Sequence, residues 1–144
     1  MQILVDADAC PVKKIIVRVA KKRQIPVTMI SDTAHELGDG YSRIVTVDKE
    51  PDSVDYALMG LLKAGDVVVT QDYGLAAMAL GKGARAINQN GLVYTDANID
   101  RLLMERHIGG KARRAGKRTK GPPKRKPEDD ARFEAAFIVL LLRD

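Results

Sequence analysis

The chain is poor in the residues that build disulfide scaffolds, zinc centres and membrane spans. A single cysteine, Cys10, excludes an intramolecular disulfide and fits a reducing compartment. Only two histidines are present, His35 and His107, and neither stands at a recognisable triad spacing. The longest apolar run, Ala135 to Leu142, has eight residues, against the ~20 that a membrane-spanning helix needs. No basic region followed by an apolar one opens the sequence, so no signal peptide is expected and the cytoplasm is the expected compartment. There is no internal repeat. With 144 residues, 45% hydrophobic and 30% charged, the composition is that of one soluble globular domain. Gly81-Lys82-Gly83 ends a predicted helix instead of opening one, which excludes a Walker loop or a dinucleotide fingerprint there.

The net charge of +5 is unevenly spread. Residues 1–105 carry −2 and residues 127–144 carry −3, while residues 106–126, RHIGGKARRAGKRTKGPPKRK, hold ten basic residues and no acid. A block of like charge repels itself and commonly serves as a nucleic-acid contact. Its plain reading is a solvated connector, which its glycines and Pro122-Pro123 favour. The candidate contacts are Lys111, Arg113, Arg114, Lys117, Arg118, Lys120, Lys124, Arg125 and Lys126. With no aromatic residue among them, they suit phosphates and not base stacking.

Hydrophobic patterning predicts alternating elements. Strands are expected at 2–6, 26–31, 43–47, 66–70 and 85–87, and helices at 11–23, 52–63, 73–80, 96–107 and 128–142. DVVVT (66–70) is apolar without alternation, as in a strand covered on both faces. Val12, Ile15, Ile16 and Val19 should form the buried stripe of the first helix. Phe133, Phe137, Leu140 and Leu141 should do so for the last. Such alternation predicts an α/β domain: a Rossmann-like, mostly parallel sheet with helices on both faces.

Ligands of such sheets bind beyond the carboxyl ends of the strands. Asp6 and Asp8 follow the first strand, Asp72 follows the strand ending at Thr70, and Asp55 lies on the covered face of the intervening helix. If the strands at residues 2 and 66 are neighbours, four carboxylates converge. Crowded carboxylates persist if protonated or if they bind a cation. Oxygen ligands without cysteine or paired histidines favour Mg²⁺ or Mn²⁺ over zinc. Such ions activate water and stabilise the leaving oxygen of a phosphodiester.

Structural readings stand beside this one. Asp72 fits an N-cap for the helix from Tyr73 as well as it fits a ligand, and Asp52 with Asp55 fits a capping arrangement. Asp96 suits an N-cap, and Asp32, Asp39 and Asp48 suit turns. Cys10 precedes Pro11 at a predicted helix start, where the dipole lowers a thiol pKa. Without a base it reads as a small packed residue.

MQILVDADACPVKKII, VVVTQDYGLAAMALGKGARAINQNGLVYTDANID, and the basic tract with DDARFEAAFIVLL resemble the YaiI/YqxD family of uncharacterised bacterial proteins. The likeness spans essentially the whole chain. That family in turn looks like an outlying member of the PIN-like nuclease superfamily, which implies a Rossmann-like sheet and an acidic metal site. Position by position, the resemblance puts the catalytic and metal-binding carboxylates at Asp6 (with Asp8), Asp55 and Asp72, the last within TQDYGLA. The departures are an aspartate at 55 where a glutamate is usual, and no fourth carboxylate just beyond Asp72, with only Asp96 or Asp100 as distant substitutes.

Three functions follow: a metal-dependent nuclease acting on RNA or single strands, a non-enzymatic nucleic-acid binder with a degenerate acidic pocket, or a metal-dependent phosphatase. RNA is preferred to DNA by analogy with PIN-like nucleases. Each phosphate neutralised on a single strand contributes about −0.7 to the slope of log K against log salt. If half of the basic side chains engage, RNA binding should show a slope of about −3.5. Changing Arg113, Arg114, Lys117 and Arg118 together to alanine should then flatten the slope by nearly 3, roughly the same for all RNA sequences. An unchanged slope would return the tract to the role of a solvated connector.

Overall fold

The computed structural model describes residues 1–32, 38–116 and 124–143. Six strands form one sheet: β1 (Ile3–Asp6), β2 (Val27–Ser31), β3 (Arg43–Thr46), β4 (Val67–Val69), β5 (Arg85–Ile87) and β6 (Val93–Tyr94). Their order is β3-β2-β1-β4-β5-β6, and only β6 runs antiparallel, against β5. Five helices accompany them: α1 (Lys13–Lys22), α2 (Ser53–Leu61), α3 (Tyr73–Gly81), α4 (Asp96–Arg114) and α5 (Pro127–Leu142). The expected α/β, Rossmann-like architecture is the observed one.

Alternate residues of each central strand serve different layers, which explains why these strands read as unbroken apolar runs. Ile3, Val5, Val67 and Val69 pack beneath α1 and α5, against Ile16, Val19, Phe133, Phe137 and Leu140. Leu4, Ile30, Val68 and Ala86 face the other way, against Leu58 of α2, Leu75, Ala76 and Ala79 of α3, and Ile99 and Leu102 of α4. Phe133 and Phe137 stack with ring centroids 5.1 Å apart, anchoring α5 as its spacing predicts. At the amino end of the sheet, buried Asp66 accepts from Gln2 N, Gln2 Nε2 and Lys63 N at 2.9–3.1 Å. These bonds hold the starts of β1 and β4 side by side.

Several local expectations are corrected. Helix α1 begins at Lys13, so Pro11 precedes the helix instead of sitting in its first turn. Asp52 lies in the left-handed region (φ 66°) and its side chain caps nothing, so the Asp52–Asp55 capping arrangement does not form. Asp96 is the first helical residue of α4, not its cap. Thr95 and Asn98 exchange side-chain bonds instead: Asn98 Oδ1 accepts from Thr95 N, and Thr95 Oγ1 accepts from Asn98 N. Asp39 is the turn residue expected, accepting from Tyr41 N and Ser42 N. Helix α4 runs past the expected end at residue 107 to Arg114, so residues 108–114 of the basic tract are helical where a solvated connector is expected.

Strand β6 was not legible. Residues 88–91 are the turn that makes it, with Asn88 Oδ1 accepting from Asn90 N and Leu92 N. Gly91 has φ +88°, and a Cβ there would stand 2.8 Å from the carbonyl oxygen of Arg132. Gly65 shares that φ but has open space around it. Gly65→Ala should therefore cost only the left-handed backbone strain of about 1–2 kcal/mol. Gly91→Ala should cost measurably more in urea unfolding, because α5 must shift as well. Equal losses would show that the Gly91–Arg132 contact yields freely.

Candidate functional site

The chain leaves β1 outward through β2 to β3, and α2 then carries it back to β4 on the opposite side of β1. The switch point of the sheet therefore lies between the carboxyl ends of β1 and β4, where such folds place their ligands. Asp6 ends β1, Asp8 follows it, and Asp72 follows β4. With Ala9, Gln71, Tyr73 and Arg106 they line an open pocket of about 400 Å³.

Thr70 joins the two strands at this point. Its hydroxyl donates to Asp6 Oδ2 at 2.9 Å and accepts from the backbone N of Asp72 at 3.0 Å. The buried Tyr94 hydroxyl in turn donates to the Thr70 carbonyl at 3.1 Å. Asp8 is tied to β2: its carboxylate accepts from Ser31 Oγ at 2.5 Å and from Asp32 N at 2.9 Å. Ala9 takes a left-handed conformation (φ 57°), unusual without glycine, and its carbonyl accepts from Gln71 Nε2.

The charges interact as expected for a shared crevice. Burial raises the Asp6 pKa above its ordinary value, the Thr70 bond opposes this, and the charges of Asp72, Asp8 and Asp32 add to the rise. Asp55, half-buried on α2, is pushed up to about 6 by burial first, then by Asp72, Asp6 and Asp52. Its protonated form shares a hydrogen bond with Asp72. Burial likewise raises the Cys10 thiol, so the helix dipole does not prevail and Cys10 is the packed residue expected.

The expected cap at Asp72 also forms: Oδ1 accepts from Gly74 N at 2.8 Å and Leu75 N at 3.2 Å. Capping and site geometry coincide, because the capped carboxylate lies near enough to Asp55 and Asp6 to add its charge to the rise that burial causes in each. Arg106 Nη1 stands 3.6 Å from the same oxygen, with its side chain 58% exposed. Arg106 carries no sequence signal as a site residue, since only the course of α4 brings it to Asp72. Asp32, expected in a turn, follows β2 at the carboxyl edge, a position in the sequence that marks it for this site. Asp96 and Asp100 are exposed on the first turns of α4 and neither lines the pocket.

Among the proposed phosphate contacts, Lys111, Lys124 and Lys126 are exposed. Arg125 is not free: Nε donates to Asp130, Nη1 to Asn90 Oδ1 and Nη2 to the Gln89 carbonyl. It fastens the turn before β6 to the start of α5. The side chains of Arg113 and Arg114, and all of Lys117, Arg118, Lys120 and His35, lie outside the described residues.

A family profile described as "Uncharacterized BCR, YaiI/YqxD family" matches residues 4–143. The UPF0178 protein of Ruminiclostridium cellulolyticum is 64% identical over 141 residues, covering 98% of this chain and 92% of its own length. The UPF0178 protein of Clostridium acetobutylicum is 59% identical over 145 residues, covering 99% of this chain and 98% of its own length. That of Exiguobacterium sibiricum is 48% identical over 141 residues, covering 98% and 96%. No solved structure matches this chain.

A carboxyl group whose pKa is higher in the folded than in the unfolded state stabilises most below its unfolded pKa, near 3.9 for aspartate. That stabilisation is lost as pH rises through the folded value, here about 6. In EDTA, the wild-type protein should therefore lose stability relative to Asp55→Asn between about pH 4 and 6. The difference should then level off. Urea midpoints of the two proteins that move in parallel over that range would contradict the packing of Asp55 against Asp72 and Asp6.

Proposed function

The chain belongs to the bacterial YaiI/YqxD family, and on that footing we propose that it hydrolyses phosphodiester bonds of RNA or another single-stranded nucleic acid at this crevice, as in the PIN-like nucleases it resembles. One observation carries the reading: at the switch point, burial and the neighbouring carboxylates raise the pKa of Asp6 and Asp55 beside Asp72, and Arg106 stands 3.6 Å from Asp72.

The donor set suits a hard divalent ion held by few protein groups, which leaves its other positions to water and phosphate. It does not suit an all-protein cage: among the described residues, no three of His, Cys, Asp and Glu are gathered closely enough to hold an ion. Asp6 and Asp72, with Asp55 near them, would hold Mg²⁺ or Mn²⁺, and Asp8 would steady the site through Ser31 and the backbone of Asp32. When bound, such an ion lowers the pKa of water and neutralises developing charge on the phosphate.

The protein's own groups do the rest. Thr70 fixes Asp6, and the helix cap fixes Asp72, so neither carboxylate must be immobilised when substrate arrives. Asp55, with a pKa of about 6, can exchange a proton with water near neutral pH. Arg106 offers a planar fork to a phosphate in place of its long contact with Asp72. Lys111, Arg113, Arg114, Lys117, Arg118, Lys120, Lys124 and Lys126 would hold the flanking phosphates. Arg125, with its fork already engaged, would act structurally.

A nucleic-acid binder that does not cleave is the second reading, favoured by the engagement of Asp8 and Asp72 within the protein itself. A cleavage assay decides between them. With Mn²⁺, single-stranded RNA should be cut to products with 5′-phosphates, since water attacks phosphorus and the 3′-oxygen leaves. Asp6→Asn should slow this by several orders of magnitude, and Arg106→Ala by roughly 100-fold. RNA affinity of Asp6→Asn should be unchanged. Cleavage that persists in EDTA or in Asp6→Asn would defeat the proposal, and binding without any cleavage would favour the second reading.

A further inference from the structure

The chain has six aromatic side chains, four Tyr and two Phe, and all lie among the described residues. Phe133, Phe137 and Tyr94 are buried. Tyr41 is half-buried, and its hydroxyl donates to the Ile25 carbonyl. Tyr73, also half-buried, packs edge-on against Tyr94. Tyr56 alone is left outside, 86% exposed on α2, where a large apolar ring gains nothing from the fold.

Its position is informative. Tyr56 follows Asp55, and the two line a groove of about 790 Å³ with Met59, Met78 and Lys82. Met59 and Met78 bring two apolar thioether side chains to its lining, and Met78 is 47% exposed. Lys82, exposed at one end of the groove, donates from Nζ to the Met59 carbonyl at 2.8 Å, which fixes its positive charge at the groove edge. Asp55 belongs to both sites: it lines this groove, and its carboxyl interacts with Asp72 and Asp6 in the crevice.

We propose that this groove between α2 and α3 is a nucleobase subsite, in which Tyr56 stacks on the base flanking the phosphate in the acidic crevice. Lys82 takes the next phosphate along the strand. The inference rests on the reading of the crevice as a nucleic-acid site and adds what the basic tract lacks. Phosphate contacts grip any polyanion, whereas an exposed aromatic ring beside polarisable methionine side chains distinguishes a chain with bases from one without. The cationic groove end and the shared Asp55 favour a nucleotide strand over a protein segment as occupant.

Binding of the full-length protein to two 5′-labelled oligoribonucleotides of equal length, one ordinary and one abasic throughout, tests this in EDTA, where no cleavage intervenes. Wild-type protein should bind the ordinary strand about tenfold more tightly than the abasic one, the scale of one stacked base. Tyr56→Ala should lose that preference with the salt slope unaltered, and Tyr56→Phe should keep it. Ultraviolet cross-linking should place an adduct on Tyr56. Equal binding of the two strands by the wild-type protein, or a preference intact in Tyr56→Ala, would overturn the subsite. So would a Tyr56→Ala effect confined to self-association in sedimentation, which would assign the groove to a second copy of the chain. The base preference without Mn²⁺-dependent cleavage would sink the nuclease reading alone, while cleavage without the preference would sink only the subsite.

Discussion

Parallel pairing of β1 with β4, across more than sixty residues of intervening chain, is the constraint on which the site depends. Two strands that run side by side in the same direction must end together, so whatever follows each is delivered to one place. Here those residues are Asp6 with Asp8, and Asp72. At the start of the pair, Asp66 accepts from the backbone and side chain of Gln2, and at its end the Thr70 hydroxyl bridges Asp6 to the backbone of Asp72. Pairing is thereby clamped at both ends of a ladder only three residues long.

The cost of this arrangement appears in the protonation of the site. Four carboxyl groups that interact beside a covered sheet are a source of repulsion, and the fold moderates it in different ways. Asp72 is stabilised by two backbone N–H groups at the start of α3 and by Arg106, Asp8 by Ser31 and Asp32, and Asp6 by Thr70. Asp55 has none of these donors and carries the largest rise. Such division of environments among adjacent carboxyls is characteristic of sites that move protons or hold cations.

The shortest strand has the widest consequence for charge. Because β6 reverses direction against β5, α4 starts at the opposite end of the sheet and climbs towards the crevice. From Asp96 to Arg106 it rises about 15 Å. That brings Arg106 level with Asp72 and lets the basic turns continue beyond it. The structural role of Arg125 belongs to the same device, since it fastens the turn before β6 to α5. An acidic body and a basic tract thus meet at one edge.

Much of this was determined by the chain's local chemistry. Alternation of apolar runs with amphipathic stretches fixed the α/β class, because burial on two faces and burial on one stripe leave different periodicities. Phe133, Phe137, Leu140 and Leu141 were legible as core for that reason, and Asp6, Asp8 and Asp72 were legible as edge residues because each follows an apolar strand. Tertiary structure alone decided which strands are neighbours, and hence that the carboxylates meet. It also decided that Asp52 would not cap, that Arg106 would face Asp72, and that Tyr56 would remain exposed beside Asp55. The two-residue β6 is too short to carry a period, and residues 108–114 are too rich in charge and glycine to announce that the helix continues. Their conformations are set by what they pack against, and that information is not local to any stretch of the chain.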